Sequence, residues 1–180
     1  MSFSFRLDNH MKYWLNLFSP ETWNKFQEND CSVTGFRQRQ ETAAAHVQPG
    51  DVMLCYMIKL SRWCGVLEVT SKSYTDKTPI FKDEKDPFII RFECKPKVIQ
   101  EPEFSIPMME KEIWDNFSKA QGVEIGQQGW AQFLGLRQSL IEINEKDAVL
   151  LIGALKEQQK LKKKYPLSKS EERAIKPQAL

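Results

Sequence analysis

Two apolar runs separated by only three residues constrain this chain more than anything else in it. Asp51 to Ile58 reads Val-Met-Leu-Cys-Tyr-Met-Ile after the acid, and a second run, Arg62 to Ser71, follows the link Lys59-Leu-Ser61. Near-continuous apolarity over this length suits a strand buried on both faces. So short a link returns the second strand antiparallel beside the first. Gly65, inside the second strand, predicts a bulge or a close backbone approach.

The remaining segments arrange themselves around this hairpin. Lys12-Tyr-Trp-Leu-Asn-Leu-Phe18 reads as a first strand rich in aromatics. Ser19 then caps a helix with Pro20 at its first position, and Trp23 and Phe26 share one face of it. A second helix is expected from Arg37 to Val47, ended by Pro49-Gly50. Phe88 to Lys95 alternates, with Phe88, Ile90, Phe92 and Cys94 on one face and Ile89, Arg91, Glu93 and Lys95 on the other, as in a half-buried strand. Pro96 interrupts it, and Val98-Ile99 is expected to continue the strand past a bend. Met109 to Lys119 reads as helical, and Leu140 to Ile143 as a short closing strand. Asn144 caps a last helix with a buried stripe of Ala148, Leu151, Ile152 and Leu155. Strands and helices mixed without regular alternation indicate an α+β fold, or a barrel flanked by helices.

Composition narrows the function. The chain has 180 residues and a hydrophobic fraction of 41%, which suits one domain and a tail. From Gln159 onward there are seven Lys or Arg and two acids, leaving 19 bases against 22 acids in residues 1–158. The body is therefore slightly acidic, and any phosphate-binding surface must be a local patch. The expected organisation is an N-terminal extension over residues 1–11, a folded domain over 12–158, and a basic, flexible tail over 159–180. No apolar run is long enough for a membrane span, and the N-terminus lacks the pattern of an export signal. Cys31, Cys55, Cys64 and Cys94 show no paired ligand spacing, so a metal site is not expected and free thiols in a reducing cytoplasm are. No cofactor fingerprint and no nucleophile–base signature is present.

The sharper signal is aromatic residues interleaved with arginines. An extruded base needs π-faces to stack on and polar groups at its edge. Phe36, Trp63 and Phe81 each sit at an element boundary beside polar, turn-forming residues. An aromatic residue at a strand edge is ordinarily packing, but the three together predict convergence in one pocket. Arg37, Arg39 and Arg62 lie beside two of them and are placed to hold flanking phosphates. Trp63, directly after the Lys59-Leu-Ser61 turn, is expected at the rim.

The order of these segments resembles the EVE domain, a member of the PUA-like group that also includes YTH and ASCH domains. The likeness rests on Tyr13-Trp14-Leu15, Thr34-Gly35-Phe36, Pro49-Gly50-Asp51, Tyr56, Ser61-Arg62-Trp63, Gly65-Val66-Leu67-Glu68-Val69, Tyr74-Thr-Asp76 and Ile80-Phe81. Trp130, Phe133, Gly135 and Asp147 match more loosely. It implies a small PUA-like mixed or antiparallel β-barrel flanked by helices, without catalysis of its own. It also implies a reader of a modified base in DNA or RNA, with a base pocket at Thr34, Gly35, Phe36, Trp63 and Phe81. Such a module works as a specificity subunit for a separate nuclease or motor protein, or in an RNA-modification system. Many relatives carry tryptophan immediately before the loop glycine, where this chain has Thr34.

Two other classes stay open at this point. An ASCH-like enzyme acting on RNA or nucleosides would have to draw an acid–base pair from Glu68 or Glu93 near a lysine. A small-ligand or protein-interaction barrel that has lost base reading is the other, and Thr34 favours it.

Overall fold

The structure is a computed structural model, and it describes residues 10–176. Residues 1–9 of the expected N-terminal extension lie outside the described residues, as do 177–180. The elements in chain order are β1 (Tyr13–Phe18), α1 (Pro20–Glu28), β2 (Val33–Phe36), α2 (Glu41–Ala44), β3 (Val52–Met57) and β4 (Arg62–Val69). They continue with β5 (Tyr74–Thr75), β6 (Ile90–Ile99), β7 (Ile106–Pro107), α3 (Lys111–Asn116), α4 (Trp130–Phe133), β8 (Glu142–Ile143), α5 (Glu145–Leu161) and α6 (Lys169–Ile175).

The hairpin forms as its sequence demands. β3 and β4 pair antiparallel, from Val52 opposite Glu68 to Met57 opposite Arg62. The register slips where Cys55 faces Gly65 and Tyr56 faces Trp63, so Cys64 is the extra residue of a bulge. Gly65 also serves a close approach. A Cβ there would lie 2.8 Å from the Val98 carbonyl and 2.9 Å from the Trp23 ring.

Both faces of this hairpin are covered, as continuous apolarity requires. Met53, Cys55, Met57, Cys64 and Leu67 point into the concave side, with Trp14, Phe18, Trp23, Phe26, Phe36 and Phe92. Leu54, Tyr56, Trp63 and Val66 point to the convex side, where Trp114, Phe117, Leu151 and Leu155 pack on them. α1 sits over the concave side. A Ser19–Thr22 capping box starts it, and the Trp23 indole N–H donates to the Gln100 carbonyl at 3.0 Å.

The sheet runs β2-β6-β4-β3-β1-β8, with β1 parallel to β3. β1 and β2 lie far apart in that order, yet Asn16 Nδ2 donates to Thr34 Oγ1 at 2.8 Å, both side chains being buried. The sheet therefore curls until strands near its two ends are bridged by side chains instead of a backbone ladder. This is the expected α+β barrel-like sheet flanked by helices. The Pro49-Gly50-Asp51 turn ties β1 to β3. Gly50 takes a φ of +93°, and the Asp51 carboxylate accepts from the Lys12 N–H, the Gln48 N–H and the Trp14 indole at 2.9–3.0 Å.

Several expectations need correction. The helix over Arg37–Val47 is shorter, a 3-10 turn at Gln38–Gln40 followed by four residues of α2. The His46 and Val47 N–H groups reach back only three residues, to Ala43 and Ala44. β6 reaches Val98-Ile99 as expected, but as one strand through Pro96, because the proline sits beside a register shift in the β4–β6 pair that relieves its missing N–H. Arg91, placed by alternation on an open face, is fully buried. Residues 159–176 of the expected tail carry the end of α5 and then α6. The chain from Lys162 folds back, and α6 docks with Leu167, Ala174 and Ile175 against the concave-side core. Among the described residues, no helix is long and apolar enough to cross a membrane.

Candidate nucleic-acid interface

β2 alternates, so Thr34 and Phe36 point one way and Gly35 the other. Thr34 and Phe36 face the core. Thr34 is fully buried on Asn16, and the Phe36 ring meets Phe92 edge-on at 5.8 Å. On Gly35's side the arrangement differs. A Cβ on Gly35 would lie 2.7 Å from Phe81 Cε2 and 2.9 Å from the Phe88 carbonyl. Gly35 lies in ordinary strand, so space and not backbone conformation requires glycine here. Without a Cβ, its surface is a floor on which an aromatic ring rests.

Phe81 comes from the long β5–β6 loop, residues 76–89, and one carboxylate holds it in place. Asp86 Oδ2 accepts from the Ile80 N–H at 2.9 Å and the Phe81 N–H at 2.7 Å, while Oδ1 accepts from the Phe88 N–H at 2.9 Å. Asp86 is itself buried and pairs with Arg91 at 3.4 Å. Arg91 stands opposite Gly35 in the β2–β6 ladder, so its side chain emerges on the same face. It also pairs with Asp76 at 3.4 Å and donates to the carbonyls of Thr78 and Phe88. Hydrogen bonds from Thr78, with the Arg91 charge behind them, hold the Asp76 carboxyl below its usual value. A buried guanidinium is tolerable only with such partners. Arg91 and Asp86 are thus the internal skeleton of the loop.

Exposed cations rim this loop. Arg37 lies over the Phe88 ring at 5.1 Å, and both Arg37 and Arg39 are exposed. The patch therefore combines a glycine-floored aromatic contact with two exposed guanidinium groups on one short segment, Gly35 to Arg39.

Three expected members stand elsewhere. Trp63 is fully buried on the convex side, 4.8 Å from the Tyr56 ring and with its indole N–H on Met108 Sδ at 3.0 Å. The rim placement inferred from its nearness to a turn fails because the Cys64 bulge turns Trp63 toward α3 and α5. Phe36 and Phe81 are both buried in the concave-side core and Trp63 in the convex-side one, so the three rings expected in one pocket do not converge. Arg62 is 3% exposed, and the C-terminal segment consumes its donors. Its Nε donates to Glu171 Oε1 at 3.0 Å, Nη1 to the Pro102 and Tyr165 carbonyls, and Nη2 to the Pro166 carbonyl and Glu171 Oε2. No donor remains for a phosphate.

Sequence reasoning missed Asp86, Phe88 and Arg91. An arginine between Ile90 and Phe92, preceded by three aspartates in a loop, was the available signal for a buried ion pair.

Two cavities lie apart from this patch. One, about 380 Å³, is a shallow depression lined by Trp114, Asp115, Gln121 and Ile125. The other is a narrow cleft between Phe117, Leu134 and Ile143. Neither is lined by an expected site residue.

Comparison with known proteins agrees with the fold. The chain is 32% identical over 111 residues to a UPF0310 protein of Pyrococcus abyssi, covering 56% of this chain and 76% of that one. A UPF0310 protein of Pyrococcus horikoshii is 27% identical over 106 residues, covering 52% and 72%. Among solved structures, the Pho92 YTH domain in complex with m6A superposes with a TM-score of 0.58 at 11% identity, covering 84% of this chain and 90% of that one. The YTH domain of Zygosaccharomyces rouxii MRB1 in complex with N6-methyladenosine RNA gives 0.53 at 11% identity, covering 92% of each. At such identities the likeness is one of fold. The EVE domain profile matches residues 12–154, and the chain belongs to the EVE domain family.

Proposed function

We propose that this chain is a non-catalytic nucleic-acid reader that takes a modified base, in DNA or RNA, against Gly35 and Phe81. Arg37 and Arg39 hold the phosphates on either side. The observation that carries this reading is the contact of Phe81 with Gly35, a seat for a flat aromatic group beside two exposed cations. A base–aromatic stack contributes about 1–3 kcal/mol, enough to offset extruding a base already weakly stacked. Two of the YTH domains that share the fold are in complex with N6-methyladenosine RNA or m6A, which supports the same ligand class here. A specificity subunit serving a separate nuclease or motor protein fits a chain whose patch holds guanidinium groups and aromatic rings but no acid–base pair.

The ASCH-like alternative draws no support from Glu68. Glu68 pairs with Lys97 at 2.7 Å on an open strand face, and that hydrogen bond holds its carboxyl below the ordinary range. Such a group suits an ion pair better than a general acid.

Backbone amide shifts on titration with single-stranded oligonucleotides test the location. The expected shifts fall on residues 33–39 and 76–89. Shifts confined to α3, α4 and α5 would move the site to the convex side and end this assignment.

A further inference from the structure

We infer that Phe81 is a removable occupant of the seat on Gly35, and that the β5–β6 loop is the lid that carries it. The ligand's flat ring enters only when Phe81 leaves. This rests on the base-reading function proposed above.

Four observations support it. Phe81 is 2% exposed and lies against Gly35, so the place where a base would rest is filled by the protein's own ring. Phe81 belongs to a loop and not to the sheet, so it can leave without breaking a strand ladder. The Phe81 ring packs at the margin of the concave-side core and edge-on against Phe88, while the polar hold on its backbone is concentrated. Asp86 accepts from the Ile80, Phe81 and Phe88 N–H groups, and Arg91 joins Asp86 to Asp76 and to the Thr78 carbonyl. Finally, Arg37 sits over Phe88 at the loop's end, where a bound phosphate would draw it from the ring. Beyond the Asp86–Arg91 pair the loop is tied to α1 only by solvent-exposed ion pairs, Lys82 with Glu21 and Asp83 with Lys25, so loss of the one buried pair is the step that separates a seated from a released state. Closed, it hides an aromatic surface from water; open, it exposes the seat.

Asp86→Asn tests this, because it keeps the shape and weakens both the ion pair and the three accepted hydrogen bonds. In the free protein, the Ile80, Phe81 and Phe88 amides should exchange with solvent together and faster than those of Val66 and Leu67. Asp86→Asn should speed that exchange by about tenfold, the size expected for weakening a charge-assisted bond, while Val66 and Leu67 stay protected. With a single-stranded RNA carrying one N6-methyladenosine, the association rate should rise by about the same factor with dissociation unchanged, since only the competent fraction has grown. Phe81→Ala, which empties the seat outright, should also associate faster than wild type.

Exchange of these amides only as slowly as Val66 and Leu67, unaltered by Asp86→Asn, would overturn the lid whatever binds. Wild-type discrimination of the modified base, together with slower association by Phe81→Ala, would also overturn it and leave Phe81 a fixed wall. Failure of wild type and both variants to bind any modified oligonucleotide would instead remove the base-reading function, and the lid's role with it.

Discussion

Arg62 Nε donates to Glu171 Oε1 at 3.0 Å, joining the start of β4 to a helix 109 residues further on. With three carbonyls completing its shell, Arg62 is a staple for the C-terminal segment. Breaking a buried pair from one side leaves the other charge stranded. Because Glu171 keeps 16% of its side-chain surface exposed, Glu171→Ala should cost about 3 kcal/mol, the low end of the range for such pairs. Chemical denaturation checks this. Arg62→Ala should lower stability similarly while leaving the salt dependence of nucleic-acid binding unchanged. A flatter salt dependence in that variant would return Arg62 to the phosphates.

The same pair sets an acid response. Burial pushes the Glu171 carboxyl up, but the Ser168 N–H and the Arg62 guanidinium outweigh it and hold it below its ordinary value near 4.5. The docked state therefore binds fewer protons than the released one. Its contribution is complete above that value and is lost as pH falls through the lower, docked one. The protection factor of the Glu172 amide, which donates to the Ser168 carbonyl at 2.9 Å, should fall on acidification below about pH 4.5 and not above it. Release of α6 already at neutral pH, or none down to about pH 2, would contradict the linkage.

Trp63→Ala is expected to act on stability and not on recognition. A fully buried tryptophan cut to alanine costs about 3–5 kcal/mol, and nothing in Trp63's surroundings reaches the Gly35 face. Thermal melting should fall sharply, and the folded fraction should keep whatever base preference wild type has. Unchanged melting with lost preference would place the ring at the site after all.

The thiols should react unequally. Burial raises Cys55 and Cys64 well above the ordinary thiol value and pushes Cys94 up to about 12. Cys31 is partly exposed, though burial and then the Asp30 charge raise it too. A thiol reagent applied to the native protein should modify Cys31 first and slowly, with the other three following only on unfolding. Two rapid equivalents at neutral pH would show that the core opens.

Much of the fold could be read from local chemistry. The Ser19-Pro20 start, the Asn144 cap and the antiparallel hairpin all appear as expected, because each depends on neighbours within a few residues. The site was less legible, because its members are defined by which face they take. A single bulge at Cys64 decides that Trp63 is core. Arg62 looked like a free cation until Glu171, distant in sequence, accounted for it. Arg91 looked exposed by alternation because its two aspartates lie in a loop whose path no periodicity reports. Gly35 was singled out only through the family likeness, and what requires glycine there, a ring and a carbonyl resting on it, belongs to tertiary structure.

The most direct measurement of the central claim is the ratio of affinities for two otherwise identical single-stranded RNAs, one carrying a single internal N6-methyladenosine, repeated with a panel of other base modifications in RNA and DNA. At least one modification should bind about tenfold or more tighter than its plain counterpart, the margin that one good stacking contact supplies. Arg37→Ala with Arg39→Ala should weaken both members of that pair alike. Equal affinity for every modified and unmodified pair would contradict base reading and leave the Gly35–Phe81 contact as packing alone.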